Sequence, residues 1–120
     1  MSDSSAPRLV EYIEHILEAI SRITRYVEGT EEQSFVQDKM VQDAVIRNFE
    51  IIGEAARNVE KRYPEFAGAH PEVPWAVAYE MRNVLAQGYF KVDLGVVWQT
   101  IQRDLPGLHV QVSRLLAELR

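Results

Sequence analysis

The sequence predicts an all-α fold, a bundle of four to five helices, on three observations. Apolar residues recur at spacings of three and four over long stretches, as one face of a helix with 3.6 residues per turn requires. No stretch alternates apolar and polar residues as a half-buried strand does. The five prolines stand at the ends of the periodic stretches, where the chain changes direction. Helices that each present one apolar stripe bury it against one another, which makes a bundle.

The first stripe is Leu9, Ile13, Ile16, Ile20, Ile23 and Val27. Ser4 or Ser5 can cap this helix, Pro7 suits its first turn, and Gly29 supplies the left-handed residue that ends it. Thr30, three residues before Gln33, fits a capping box that starts the next helix. That second stretch runs to about Tyr63, with a bend near Ser34 to Asp38. Met40, Val41, Ala44, Val45, Phe49, Ile52, Ala55, Ala56 and Val59 cover its broad apolar face. Tyr63-Pro64 stops it, because the residue before a proline is pushed out of the helical region. Residues 64 to 74 hold Pro64, Gly68, Pro71 and Pro74 and read as a connector with one helical turn. A third helix starts at Pro74, carries Val77, Met81 and Val84 inward, and ends near Gly88. Val92, Val96, Val97 and Ile101 mark a fourth, and Leu105, Leu108, Val112, Leu115 and Leu119 a fifth, with Pro106 at their junction.

The chain has 120 residues, 47% hydrophobic and 26% charged, which fits one globular domain over residues 1–120, with the Ser-rich residues 1–7 read as lacking fixed structure. At this size a domain buries about 65% of its unfolded surface, enough for a core but with little room for a deep private active site. A site shared between subunits is the natural alternative. The absence of cysteine removes disulfides, thiolate nucleophiles and Cys-based metal sites. No apolar run approaches the ~20 residues of a membrane span, and the opening lacks the regions of a signal peptide, so the expected location is the cytoplasm. Thirteen Lys plus Arg against eighteen Asp plus Glu give a net charge of −5, the wrong sign for coating nucleic acid non-specifically. Contact with a polynucleotide would have to be local.

Candidate chemistry is sparse. There is no Gly-rich phosphate loop and no Ser-His-Asp arrangement, and His15, His70 and His109 are scattered over a helix, a loop and a late helix. Glu50 and Glu54, with Arg47 three residues before Glu50, share one side of the long helix. One reading is an intrahelical ion pair. The sharper one has Glu54, after Gly53 in an apolar stretch, partly buried and orienting an arginine from another helix. Arg57, Lys61 and Arg62 form a basic cluster that complements the helix dipole. The most unusual segment is Met81-Arg82-Asn83-Val84-Leu85-Ala86-Gln87-Gly88-Tyr89-Phe90. In a continuous helix Arg82 and Tyr89 would project nearly in line and position 87 about 140° away from Arg82. An arginine, an amide and a phenol around a helix end can form a phosphate site, since guanidinium gives phosphate oxygens two parallel hydrogen bonds. The competing reading is an arginine that satisfies a neighbouring carboxylate beside a packed tyrosine.

At this segment the chain resembles the HepT-like toxins of the HEPN superfamily, whose signature is Arg, four residues, His, one residue, Tyr. Arg82, Asn83 and Tyr89 fall in register, and Asp43 to Asn48, Ile51 to Ala56, Pro74-Trp75, Val97-Trp98 and Asp104 to Pro106 are similar to the family as well. The resemblance implies a homodimeric HEPN-type bundle whose two motif segments form a cleft in which RNA is cut without metal or other cofactor. It also implies a partner, a minimal (MntA-like) nucleotidyltransferase antitoxin that silences the toxin by transferring AMP to the motif tyrosine, here Tyr89.

Position 87 departs from that pattern: Gln87 stands where the family has histidine. Imidazole titrates near pH 6.5 and can carry protons during attack of a 2′-OH on its phosphodiester, whereas an amide only hydrogen-bonds. Loss of acid-base catalysis costs typically 10²- to 10⁴-fold, so the chain as written is expected to be inactive. Two origins stay open, a deliberate exchange that spares a producing cell and a natural loss of activity. On the resemblance, Arg82 holds the scissile phosphate, residue 87 occupies the acid-base position, Asn83 supports the motif, Tyr89 accepts AMP, and Glu54 orients Arg82. The alternative is a non-catalytic adaptor, or substrate-binding subunit, of a nucleotidyltransferase.

Overall fold

The structure is a computed structural model that describes residues 6–76, 78 and 93–120. Among these residues every regular element is a helix: α1 (Ala6–Tyr26), α2 (Glu32–Phe35), α3 (Lys39–Arg62), α4 (Pro64–Ala69), α5 (Leu94–Arg103) and α6 (Leu105–Leu119). Trp75, Ala76 and Ala78 are helical too, where the third long helix was expected to begin. Val77, Met81, Val84 and Gly88, expected on that helix, lie outside the described residues, as do Ser4, Ser5 and Val92. Six helices are therefore described against an expected four to five. The excess comes from two short pieces, four-residue α2 and six-residue α4.

The stripe on α1 becomes its buried face: Leu9, Ile13, Ile16, Ile20, Ile23 and Val27 are all buried, joined by Ala19. The helix lies along α3 on one side and α6 on the other, the most extensive helix contacts of the described residues. Val45, Phe49, Ile52, Ala55, Ala56 and Val59 answer from α3, and Leu105, Leu108, Val112 and Leu115 from α6. Each large side chain buried there contributes about 1.5–3 kcal/mol by leaving water. Gly29 has φ +71°, the left-handed conformation that glycine reaches without a Cβ clash, and it turns the chain out of α1.

Between α1 and α3 the structure departs from the expected continuous stretch. The chain breaks rather than bends at residues 36–38. Thr30 caps nothing, because α2 starts two residues later, with Glu31 at its N-cap and no side-chain hydrogen bond to the helix. Phe35 explains why so short a helix persists. Its ring is fully buried, 5.4 Å from that of Trp98 on α5, and its carbonyl accepts a 2.9 Å hydrogen bond from Gln42 Nε2 on α3. One aromatic residue thereby links α2, α3 and α5. Asp38 then starts α3 by accepting from the Val41 N–H at 3.2 Å, and Asp93 starts α5 by accepting from the N–H groups of Gly95 and Val96 at 3.0 and 3.2 Å. Met40, expected on the inner face, is 80% exposed, and Val96 is exposed as well. Both sit in the first turn of their helices, on the side turned to solvent, while Val41 and Leu94 in the same turns pack against the core.

Candidate functional site

Arg82, Asn83, Gln87 and Tyr89 lie outside the described residues. Two other places that the sequence singled out are described, the polar face of α3 and the loop that holds Pro74 and Trp75.

On α3, the trio read from the sequence does share one side. Arg47 and Glu50 form an i,i+3 ion pair at 3.6 Å, and both line, with Glu54, a groove of about 520 Å³ between α1 and α3. Tyr12, His15, Ile51 and Asn58 contribute to the lining. Glu54 itself is exposed, not partly buried as expected, because the helical phase that buries Gly53 turns the next residue outward. His15 faces this groove from α1, a placement that a histidine between Glu14 and Ile16 does not advertise in the sequence. The pair at Arg47 and Glu50 is solvent-exposed and contributes little to stability. The other two histidines stand apart: His109 is exposed on α6 and His70 ends α4. Arg57, Lys61 and Arg62 are exposed in the last two turns of α3, with Lys61 and Arg62 in the final turn.

Beneath the polar face, α3 buries one amide. Asn48 is 4% exposed, and its Nδ2 donates to the Ala44 carbonyl at 2.9 Å. Its Oδ1 has no hydrogen-bond partner among the described residues.

The loop after α4 is closely tied. The ring of His70 packs on that of Phe66 at 4.5 Å, and Phe66 also meets the ring of Trp75 at 6.4 Å. The His70 carbonyl accepts from the Trp75 indole N–H and from the Val73 N–H, each at 3.2 Å. His70 Nδ1 lies 3.2 Å from the Glu72 carboxylate. That carboxyl is held below its usual range, first by a hydrogen bond from its own backbone N–H; desolvation opposes this, and the hydrogen bond and charge of His70 add to the lowering. Trp75 and Val73 are buried. The Ala78 N–H then bonds the Pro74 carbonyl at 3.0 Å, which closes one helical turn. A proline followed by a tryptophan was visible in the sequence; the carbonyl that receives the indole was not, since main-chain acceptors carry no sequence signal.

No described helix is long and apolar enough to cross a membrane.

Comparison with known proteins places these features in a family. Residues 16–115 match the family described as Ribonuclease HepT-like. "Probable ribonuclease HepT" of Thermococcus cleftensis is 40% identical over 105 residues, covering 88% of this chain and 93% of that protein. An inferred RNase of Caldanaerobacter subterraneus is 38% identical over 105 residues, covering 88% of this chain and 91% of its own length. A Methanocaldococcus jannaschii protein named as a gamma-glutamylcyclotransferase and inferred RNase is 41% identical over 108 residues, 90% of this chain but 47% of that protein. The chain thus spans about half the length of that relative and nearly all of the other two. No solved structure matches it. With the family match running from Ile16, midway along α1, to Leu115 on α6, the chain belongs to the Ribonuclease HepT-like family.

Proposed function

We propose that this chain is the toxin half of a toxin-antitoxin pair, built as a metal-independent RNA endonuclease and inactive as written because of Gln87. The observation that carries the reading is the register of Arg82, Asn83 and Tyr89 in a chain of the HepT-like family. Two copies form the working unit, and their motif segments face one another across a cleft that binds single-stranded RNA in the cytoplasm. Arg82 holds the scissile phosphate with paired N–H donors and offsets charge as it develops. Asn83 supports the motif by hydrogen bonding, and Glu54 acts on Arg82 from the exposed face of α3.

In the active form, a histidine at position 87 would take the proton from a 2′-OH as its oxygen attacks the adjacent phosphorus and expels the 5′-oxygen of the next nucleotide. Gln87 has no titratable nitrogen, so binding survives and turnover does not. Tyr89 is the point of control. A nucleotidyltransferase antitoxin joins the phenol oxygen to the α-phosphorus of ATP, pyrophosphate leaves, and the phenol proton passes to solvent. The anion gained fills the cleft and repels the RNA backbone.

The test is Gln87→His. Restored RNA cleavage in vitro, with growth arrest on expression, is the expected result; a folded dimer that stays silent with the histidine in place refutes it. Gln87 also favours a second reading, an adaptor that docks on a nucleotidyltransferase without catalysis. Incubation with the transferase encoded beside the gene and ATP separates the two. Mass added at Tyr89 supports the toxin, and a stable complex without modification supports the adaptor.

A further inference from the structure

We infer that the corner of the bundle where α2 meets the starts of α3 and α5 is a docking surface for another protein, whose contact segment carries apolar side chains among lysines and arginines. The inference is independent of the role assigned to Arg82. Met40, in the first turn of α3, is 80% exposed, the most of any large apolar side chain among the described residues. Val36, which ends α2, is 39% exposed. The backbone that carries both is tied down. Phe35, next to Val36, has its ring buried at 5.4 Å from that of Trp98, and its carbonyl takes the 2.9 Å bond from Gln42 on α3. The Val36 N–H bonds the Glu32 carbonyl at 3.0 Å, and Asp38 caps α3 through the Val41 N–H. The Glu32 carboxylate reaches across to α5, 3.7 Å from the position a Cβ on Gly95 would take, and Val96 beside that glycine is 56% exposed. Apolar side chains held in water on a fixed frame and rimmed by polar groups are what a partner gains by covering.

Charge selects the partner. Over residues 31–43 and 93–96, Glu31, Glu32, Asp38, Asp43 and Asp93 set five carboxylates against one ammonium, that of Lys39, and all six are exposed. Asp38 and Asp93 spend an oxygen on helix caps. Glu31, Glu32 and Asp43 form no ion pair among the described residues. Such a surface repels the phosphates of RNA and attracts lysine and arginine. It also disfavours self-pairing, because the same corner of a second copy would bring like charges together. Methionine suits the role, since its unbranched thioether adapts to the shape laid against it. With so few apolar anchors the contact belongs among the small interfaces, weak and sensitive to salt.

The test titrates the full, isotope-labelled chain with a synthetic amphipathic helix of leucine and lysine, followed by amide and methionine-methyl NMR. Shifts are expected at residues 31–43 and 93–96, with the Met40 methyl among the largest, and affinity should weaken as salt is raised to the physiological range. Met40→Ser should lower affinity by about 3- to 10-fold and leave Tm unchanged, since that side chain already lies in water. Glu31→Gln, Glu32→Gln and Asp43→Asn together, which spare the two capping aspartates, should lower affinity at low salt and flatten its salt dependence. A matching helix of leucine and glutamate should not bind. Shifts that fall mainly elsewhere, no binding at low salt, or equal affinity in Met40→Ser overturns the inference, and so does single-stranded RNA that shifts the same residues. Sedimentation at rising concentration tests the other occupant: if Met40→Ser breaks up an assembly of identical copies, the corner is a contact between copies and the inference fails.

Discussion

Replacing Asn48 with leucine should stabilise this protein. The side chain is 4% exposed on α3, and its Oδ1 has no partner among the described residues. A buried acceptor without a donor costs about 1–3 kcal/mol relative to the same group in water. The Nδ2 bond offsets part of that, about 1 kcal/mol, but it goes to the Ala44 carbonyl, which the helix already uses for its own i→i+4 bond. Leucine is of comparable size, has no polar atom to leave unpaired, and has a helix propensity a few tenths of a kcal/mol better than asparagine. The balance is a gain of about 1–2 kcal/mol, or roughly 4–8 °C in Tm for a chain of this length. Urea unfolding at one fixed protomer concentration measures it, with the slope against denaturant expected to stay constant. Asn48→Asp is the control and should destabilise the fold, since it places an ionisable group in the same apolar site. A loss of 1 kcal/mol or more in Asn48→Leu would refute the reasoning, because Oδ1 would then have to be accepting a hydrogen bond in solution.

Three other perturbations have expected outcomes. Phe35→Ala should cost about 3–5 kcal/mol, since the ring is fully buried against Trp98 and joins α2 to α3 and α5; a loss under 1 kcal/mol in urea unfolding would show that α2 is dispensable. Asp93→Ala removes the side-chain cap on the Gly95 and Val96 N–H groups, for a loss of about 1 kcal/mol and faster amide exchange at those two residues. Glu72 should titrate below 4.5 when monitored by carboxyl NMR. Because its folded value is lowered, its contribution to stability is present above the unfolded value and disappears as the pH falls through the folded one. His70→Ala should relieve part of that shift and leave the part due to the backbone N–H, and a midpoint at or above 4.5 in the unaltered chain would refute the assigned causes.

Much of the framework was legible from local pattern. The α1 stripe, the end of that helix at Gly29, the stop at Tyr63-Pro64 and the Leu105 to Leu115 face of α6 all reflect 3.6-residue periodicity and what glycine and proline allow the backbone. The family was legible for a related reason: the Arg82 to Tyr89 spacing and the Pro-Trp and Gly-Glu-Ala pieces are short and contiguous. Glu54 shows the limit of such a reading. An apolar neighbourhood in sequence suggested burial, and helical phase turned the residue to the surface instead.

Periodicity by itself determined that this chain makes helices, which face of each is apolar, and where proline and glycine interrupt them, because those properties depend on neighbours within a few residues. Only the tertiary structure decided the rest. It split the second stretch at residues 36–38, since Phe35 gains more by burial against Trp98 than an unbroken helix would allow. It left Met40 in water and placed His15 in one groove with Glu54. It also aimed the Trp75 indole at a main-chain carbonyl. Each of these depends on groups that are distant in the chain or carry no side-chain signature, and burial and hydrogen bonding between such groups are settled by packing.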